Sequence, residues 1–438
     1  MMNLGKYAKA AMLIVAVYVY IFNPPIKGLP NLIWLFLPIA MSYILYYSLI
    51  GKLLYLFKNE IILIILISVF TILRDLDWTN GTSNKNFLYV NVTMLIEAIP
   101  FSFFIVDVCS RKLKLPKKAT SDGRLISIIL WTCAFAAFIS VLLLVSPSLN
   151  NVMNNKILES SDYQKSNLLR GFGFSALLFY SYGLVQGMAA AIILLKMSEG
   201  KKYFIIYFIT LVLLLISILV NARIGMAPVL VMIFYLIFVR KKVKMFLYAS
   251  AILGVMIVAF LSSDLATKYE KTIQWGFSFF TQTLGFVSNN KSHNGDTYST
   301  LNHMIVLPDN FFDWITGTGK DLFIKGQISG TVTNSDIGFI RQLYYGGLVY
   351  LFLLVGLVAL MAVRLYHLKK HRWFFVLFVF TILAANIKSN FINNHPAFRL
   401  VLLIYMGFIY YAFQERRNKD VTGKGFEDGL AISWNGPV

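Results

Sequence analysis

LISIILWTCAFAAFISVLLLV, residues 125–145, contains no charged side chain and is long enough to cross a roughly 30 Å hydrocarbon core as one helix. Outward from it, comparable apolar runs lie near residues 7–22, 31–50, 60–73, 87–107, 172–195, 203–221, 225–239, 245–262, 337–363, 373–388 and 397–414. The pattern predicts an all-α polytopic integral membrane protein of about twelve transmembrane helices. Composition agrees: 58% of the 438 residues are hydrophobic and the mean hydropathy is +0.68, against roughly 45–50% apolar residues in soluble domains. A single membrane domain over residues 1–421 leaves no room for a separate soluble catalytic domain. The runs at 60–73, 225–239 and 373–388 look short, so their ends are expected to shift or to pack against protein. The run from Ala10 to Phe22 follows Lys6 and Lys9 as in a signal peptide, but NPPIKGLP lacks a small-residue cleavage site, and it reads as a retained first helix.

A formal charge of +20 could suggest nucleic acid, but the basic residues fall in clusters between apolar runs, which argues against such a partner. Lys52 and Lys58, RKLKLPKK from Arg111, KMSEGKK, RKKVK from Arg240, RLYHLKKHR from Arg364 and ERRNK after the last run mark alternate connections. Cytoplasmic loops are the ones enriched in Lys and Arg. That rule places both termini in the cytoplasm and gives two longer outward loops, 147–171 and 263–335, the second preceding the tenth span. Aromatic residues such as Trp275 and Trp314 in the larger loop suit either sugar stacking or anchoring at the bilayer interface. The polar, Gly-rich segment 422–438 reads as a disordered tail or an expression remnant. Cys109 and Cys133 form no CxxC pair, and neither a disulfide nor a cysteine-ligated metal is expected.

Five arginines, Arg74, Arg170, Arg223, Arg341 and Arg399, fall within a few residues of the expected outward boundaries. A guanidinium presents a planar fork of donors to phosphate and keeps its charge in poorly solvated sites, whereas a lone boundary arginine can simply snorkel to headgroups. Arg223 lies in NARIGMAP, a tight turn before the N-terminus of a helix, where free N–H groups favour an anion and Gly225 allows close approach. In TNSDIGFIRQLYYGGL, Asp336 opens a span and Arg341 follows about one turn later, pointing to a different side. Asp336 is either a helix cap or a carboxylate that orients or deprotonates a sugar hydroxyl. Glu97 falls mid-span in MLIEAIP, with Pro100 loosening the backbone, and needs a partner such as an arginine. His395, in NNHPAFR beside Arg399, is placed as a base or a phosphate contact. No HExxH, DxD, P-loop or Ser-His-Asp spacing appears, and no cofactor is expected.

Three strings, NARIG, ITGTGKD and NSDIGFIRQLYYGGL after a large outward loop, together with the architecture, resemble the Wzy-type O-antigen polymerases, which are related to the O-antigen ligases. The resemblance implies a metal-independent glycosyltransferase of the bacterial inner membrane that uses undecaprenyl-pyrophosphate-linked oligosaccharides at the periplasmic face. It implies that arginines at positions like Arg223 hold the leaving pyrophosphate, and that a separate membrane chain-length regulator is a partner. Related ligases carry a histidine where this chain has Asp336, a departure that favours a polymerase over a ligase. A lipid-linked oligosaccharide flippase is the rival from another class. It would bury charge along a central cavity rather than gather it at one boundary.

Overall fold

The computed structural model describes residues 4–75, 85–112, 121–159, 173–175, 180–200, 203–243, 304–322, 335, 337–388, 390–392 and 395–421. Its helices in chain order are α1 Leu4–Phe22, α2 Leu32–Tyr46, α3 Ile50–Asp75, α4 Lys85–Thr93, α5 Ile99–Lys112, α6 Ser121–Val145, α7 Pro147–Val152 and α8 Tyr180–Glu199. They continue with α9 Phe204–Asn221, α10 Met226–Phe234, α11 Phe311–Thr316, α12 Gly338–His367, α13 Arg372–Lys388 and α14 Pro396–Val421. A π turn at Met94–Ala98 joins α4 to α5, and others at Met153–Ile157 and Tyr235–Val239 extend α7 and α10. Among the described residues the only β pairing is one isolated bridge between Ile26 and Leu158.

Among the described residues eight helices are long and apolar enough to cross a membrane, so the chain is a polytopic, all-helical membrane protein. Three shorter apolar helices, Ala10–Phe22, Leu32–Tyr46 and Met226–Val239, fall where the sequence places further spans. The run at 245–262 and the segment 422–438 lie outside the described residues, as does most of 263–335.

Small side chains select the centre of the bundle. The apolar window of α8 is 89% buried and that of α14 83%, against 28% for α12 and 33% for α9. α8 carries Gly183 and Gly187 one turn apart, a spacing that lets helix backbones touch. The 222–225 turn packs onto them: a Cβ at Gly187 would overlap the Gly225 carbonyl, and one at Gly225 would overlap the Gly183 carbonyl. α9 and α12 instead turn Ile205, Ile209, Phe352 and Val355 outward, as helices facing lipid tails do.

The short run at 60–73 shifts its start, as expected: α3 begins at Ile50, kinks at Phe57 (φ −124°, ψ 20°) and holds Glu60 buried three residues beyond the kink. Glu97 is one of three enclosed acids among the described span residues, with Glu60 and Asp107. Charge did not end these helices because partners neutralise it. Glu60 Oε1 accepts from Arg364 and Tyr405, and Asp107 accepts from Tyr43, Tyr410 and Arg111.

Candidate functional site

The end of the bundle that carries Arg74 gathers most of the residues singled out by sequence. Two of them, Arg74 and Arg341, meet at one loop. α11 begins at Asn310, whose Oδ1 accepts from Asp313 N at 2.8 Å, and ends at Gly317 in the left-handed region (φ 76°). Thr318 N and Gly319 N then donate to the Tyr344 and Tyr345 carbonyls of α12 at 2.8 and 2.9 Å. Arg74 donates to the Gly317 carbonyl, and Asp75 Oδ1 accepts from the Tyr345 hydroxyl at 3.0 Å. Arg341 closes the loop with a two-pronged ion pair, Nε and Nη2 donating to the Asp321 carboxylate at 3.0 and 2.9 Å. The TGTG string is thus a helix stop followed by a strap along α12.

Next to Arg341, Gln342 exchanges hydrogen bonds with the Asn386 side chain of α13 at 2.9 and 3.1 Å and donates to Asn390 at 2.7 Å. Asn386 also accepts from Phe391 N, and the Phe391 ring meets that of His395 at 5.9 Å. His395 stacks on Tyr180 at 5.0 Å, and its Nε2 lies 2.5 Å from Ser181 Oγ. Its Nδ1 accepts from Ala397 N at 3.3 Å, which assigns the proton to Nε2 and makes Ser181 the acceptor. Burial first, and the Arg399 guanidinium second, push the His395 pKa down to about 3. The ring stays neutral with both nitrogens engaged, a poor arrangement for the base foreseen from sequence.

Arg399, one turn into α14, is buried and donates to Glu97 at 3.2 Å. Glu97 occupies the π turn at Met94–Ala98. Pro100 offers no N–H to the preceding turn, and a π turn re-pairs the backbone there through Ile99 N to Met94 O. The structural partnership for Glu97 is therefore Arg399, with Tyr20 beside both. Two buried ions at this depth are tolerated because each neutralises the other.

Arg223 opens the three-residue 3-10 turn Arg223–Gly225 ahead of α10. Asn221 holds the preceding helix end by donating to Ser140 and to the Ser217 carbonyl, both at 2.9 Å. Gly225 does allow close approach, but what approaches is the α8 backbone. The turn reaches the rest of the site through α8, which carries Ser181, and through α13, against which α10 packs. Asp336 and Arg170 lie outside the described residues. Ser335 Oγ accepts from Ile337 N at 3.2 Å just before α12.

Sequence reasoning missed Asp321 as the partner of Arg341, Gln342 with its two asparagines, and Ser181. No local signal pairs Asp321 with a residue twenty positions on; the Gly183 and Gly187 spacing was visible and marked the contact face of the helix. No family model, curated protein or solved structure matches the chain.

Proposed function

We propose that the chain polymerises polysaccharide repeat units, transferring a growing glycan from undecaprenyl pyrophosphate to a new lipid-linked unit at the periplasmic face of the bacterial inner membrane. One observation supports this reading above the rest. Two of the three strings that resemble the polymerase family, ITGTGKD and NSDIGFIRQLYYGGL, are tied together by hydrogen bonds and an ion pair at one end of the bundle, and the NARIG turn packs on α8, whose Ser181 lies beside His395. On this reading both termini are cytoplasmic, about twelve spans cross the membrane and the Arg74 end faces the periplasm, at the depth where a lipid pyrophosphate sits.

In the reaction an acceptor hydroxyl attacks the anomeric carbon of the donor glycan, and the bond from that carbon to the pyrophosphate oxygen breaks. Arg223 holds the leaving pyrophosphate and offsets its growing charge. Asp336 accepts the hydroxyl proton, since His395 has no free nitrogen for it. Arg399 and Glu97 fix α14 against the π turn beneath. A chain-length regulator in the same membrane is the expected partner.

Arg223→Ala is expected to abolish long glycan chains while the protein still inserts, and normal chain length in that variant sinks the assignment. Deleting the gene and running the lipopolysaccharide on a gel separates the classes. A core bearing one repeat unit means polymerase. Lost O-antigen with lipid-linked polymer accumulating means ligase, and lost O-antigen with no outward-facing units means flippase.

A further inference from the structure

α12 is not one continuous helix. Gly347 adopts φ 65° and ψ −165° inside it, a backbone state open almost solely to glycine. Beyond the break, Leu348 to Val363 is an uncharged stretch, with Tyr350 its one polar side chain, of about 24 Å at 1.5 Å per residue. That length places the break near the edge of a hydrocarbon core. The break is also where the loop enters. A Cβ at Gly347 would overlap the Ile315 carbonyl, and one at Gly317 would overlap the Tyr345 carbonyl. The two carbonyls ahead of the break, Tyr344 and Tyr345, receive Thr318 N, Thr318 Oγ1 and Gly319 N. Irregular backbone at this depth persists only where its polar groups are answered by protein or line a wet cavity, and here loop and broken helix answer each other.

The far end of the loop is tethered by the Arg341 to Asp321 fork. Asp321 is 1% exposed and Arg341 12%. Two of the guanidinium's donor groups and its charge are committed to that carboxylate. A phosphate taking the same fork would leave Asp321 buried without its partner charge, a strongly unfavourable state.

We propose that Arg341 is a positioning residue: through Asp321 it clamps the Thr316–Asp321 loop into the break of α12, making the loop part of the site's floor. Only the glycan readout below rests on the polymerase reading. The clamp needs opposite charges at 321 and 341, whichever residue carries which sign.

The test places a cysteine in the loop, Lys320→Cys, in otherwise intact protein in membranes. The native Cys109 and Cys133 are both buried, so maleimide labelling reports the loop. Asp321→Asn and Arg341→Ala should each speed labelling by about tenfold, and each should shorten the glycan by the same degree. The exchange Asp321→Arg with Arg341→Asp should restore slow labelling and long chains. If the exchanged protein does not accumulate, the two single variants decide: matched losses support the clamp. Wild-type labelling and glycans in Asp321→Asn, with glycans abolished in Arg341→Ala, would overturn it and make Arg341 a ligand contact. Fast labelling in both single variants with unchanged glycans keeps the clamp and removes the polymerase reading instead.

Discussion

The two ends of the bundle use charge differently. At the Asp107 end, carboxylates tie helices side by side. Asp107 of α5 is held by Tyr43 of α2, Tyr410 of α14 and Arg111 of its own helix, and Lys52 of α3 joins through the Tyr410 hydroxyl at 2.6 Å. Glu60 links α3 to α12 and α14. At the Arg74 end, Arg74 and Arg341 tie a loop to a helix, and glycines bring backbone against backbone. Charge at the first end fixes helix positions that packing already favours. At the second it holds irregular backbone that packing alone would not specify, which is where binding chemistry gains from shape.

Substitutions can break this contrast, and the largest effect is expected at the buried pair of the Arg74 end. Arg399→Ala leaves Glu97 enclosed without its charge partner and should cost about 3–5 kcal/mol; Arg399→Met with Glu97→Leu should recover most of it in detergent melting curves. Gly347→Ala should cost about 3 kcal/mol through strain and overlap. Gly356, farther along the same helix, meets nothing within 4 Å of an added Cβ, and Gly356→Ala should instead gain about 0.5–1 kcal/mol. Equal melting shifts for the two glycine variants would erase the distinction drawn at the break.

At the Asp107 end, Asp107→Asn keeps the shape and the acceptor oxygen and should cost about 2 kcal/mol, with glycan length unchanged at permissive temperature. His395 gives the Arg74 end a pH signature. Its folded pKa of about 3 lies below the ordinary 6.5, so unfolded chains take up a proton that folded ones refuse. Stability contributed by His395 is full above about pH 7 and falls as pH drops from 6.5 toward 3; His395→Gln should flatten that slope in thermal scans. The exposed Lys370 to Glu415 pair is the smallest case, and Lys370→Ala should shift stability by less than about 0.5 kcal/mol.

Helix positions were legible because each apolar run is decided by its own residues. Partners were harder to read than positions. Glu60 opened the run expected to shift, and it lies three residues past the Phe57 kink, paired with Arg364 some three hundred residues away. Residue types were legible: Arg74, Arg341, Arg399, Glu97 and His395, each chosen for its chemistry, lie toward one end of the bundle. Pairings were not legible, because nothing in ITGTGKD states that its aspartate meets Arg341, and nothing around Gly225 states that α8 fills the space above it. Gly183 with Gly187 was readable in principle, since that spacing has a packing meaning of its own.

The π turn at Met94–Ala98 carries a last consequence. It holds one residue more than a helix needs there, so it acts as a phase adjuster between two rods. Upstream, Phe87 stacks on Tyr345 at 4.0 Å and Asn91 donates to Tyr350; downstream, α5 aims Asp107 at Tyr43 and Tyr410. Removing a single residue, such as Leu95, would turn the bulge into a regular α turn with both rods kept nearly in their present register, whereas removing one from the regular helix on either side would rotate the rods by about 100°. The π turn is thus the one place in this span where chain length can change without unsetting both faces.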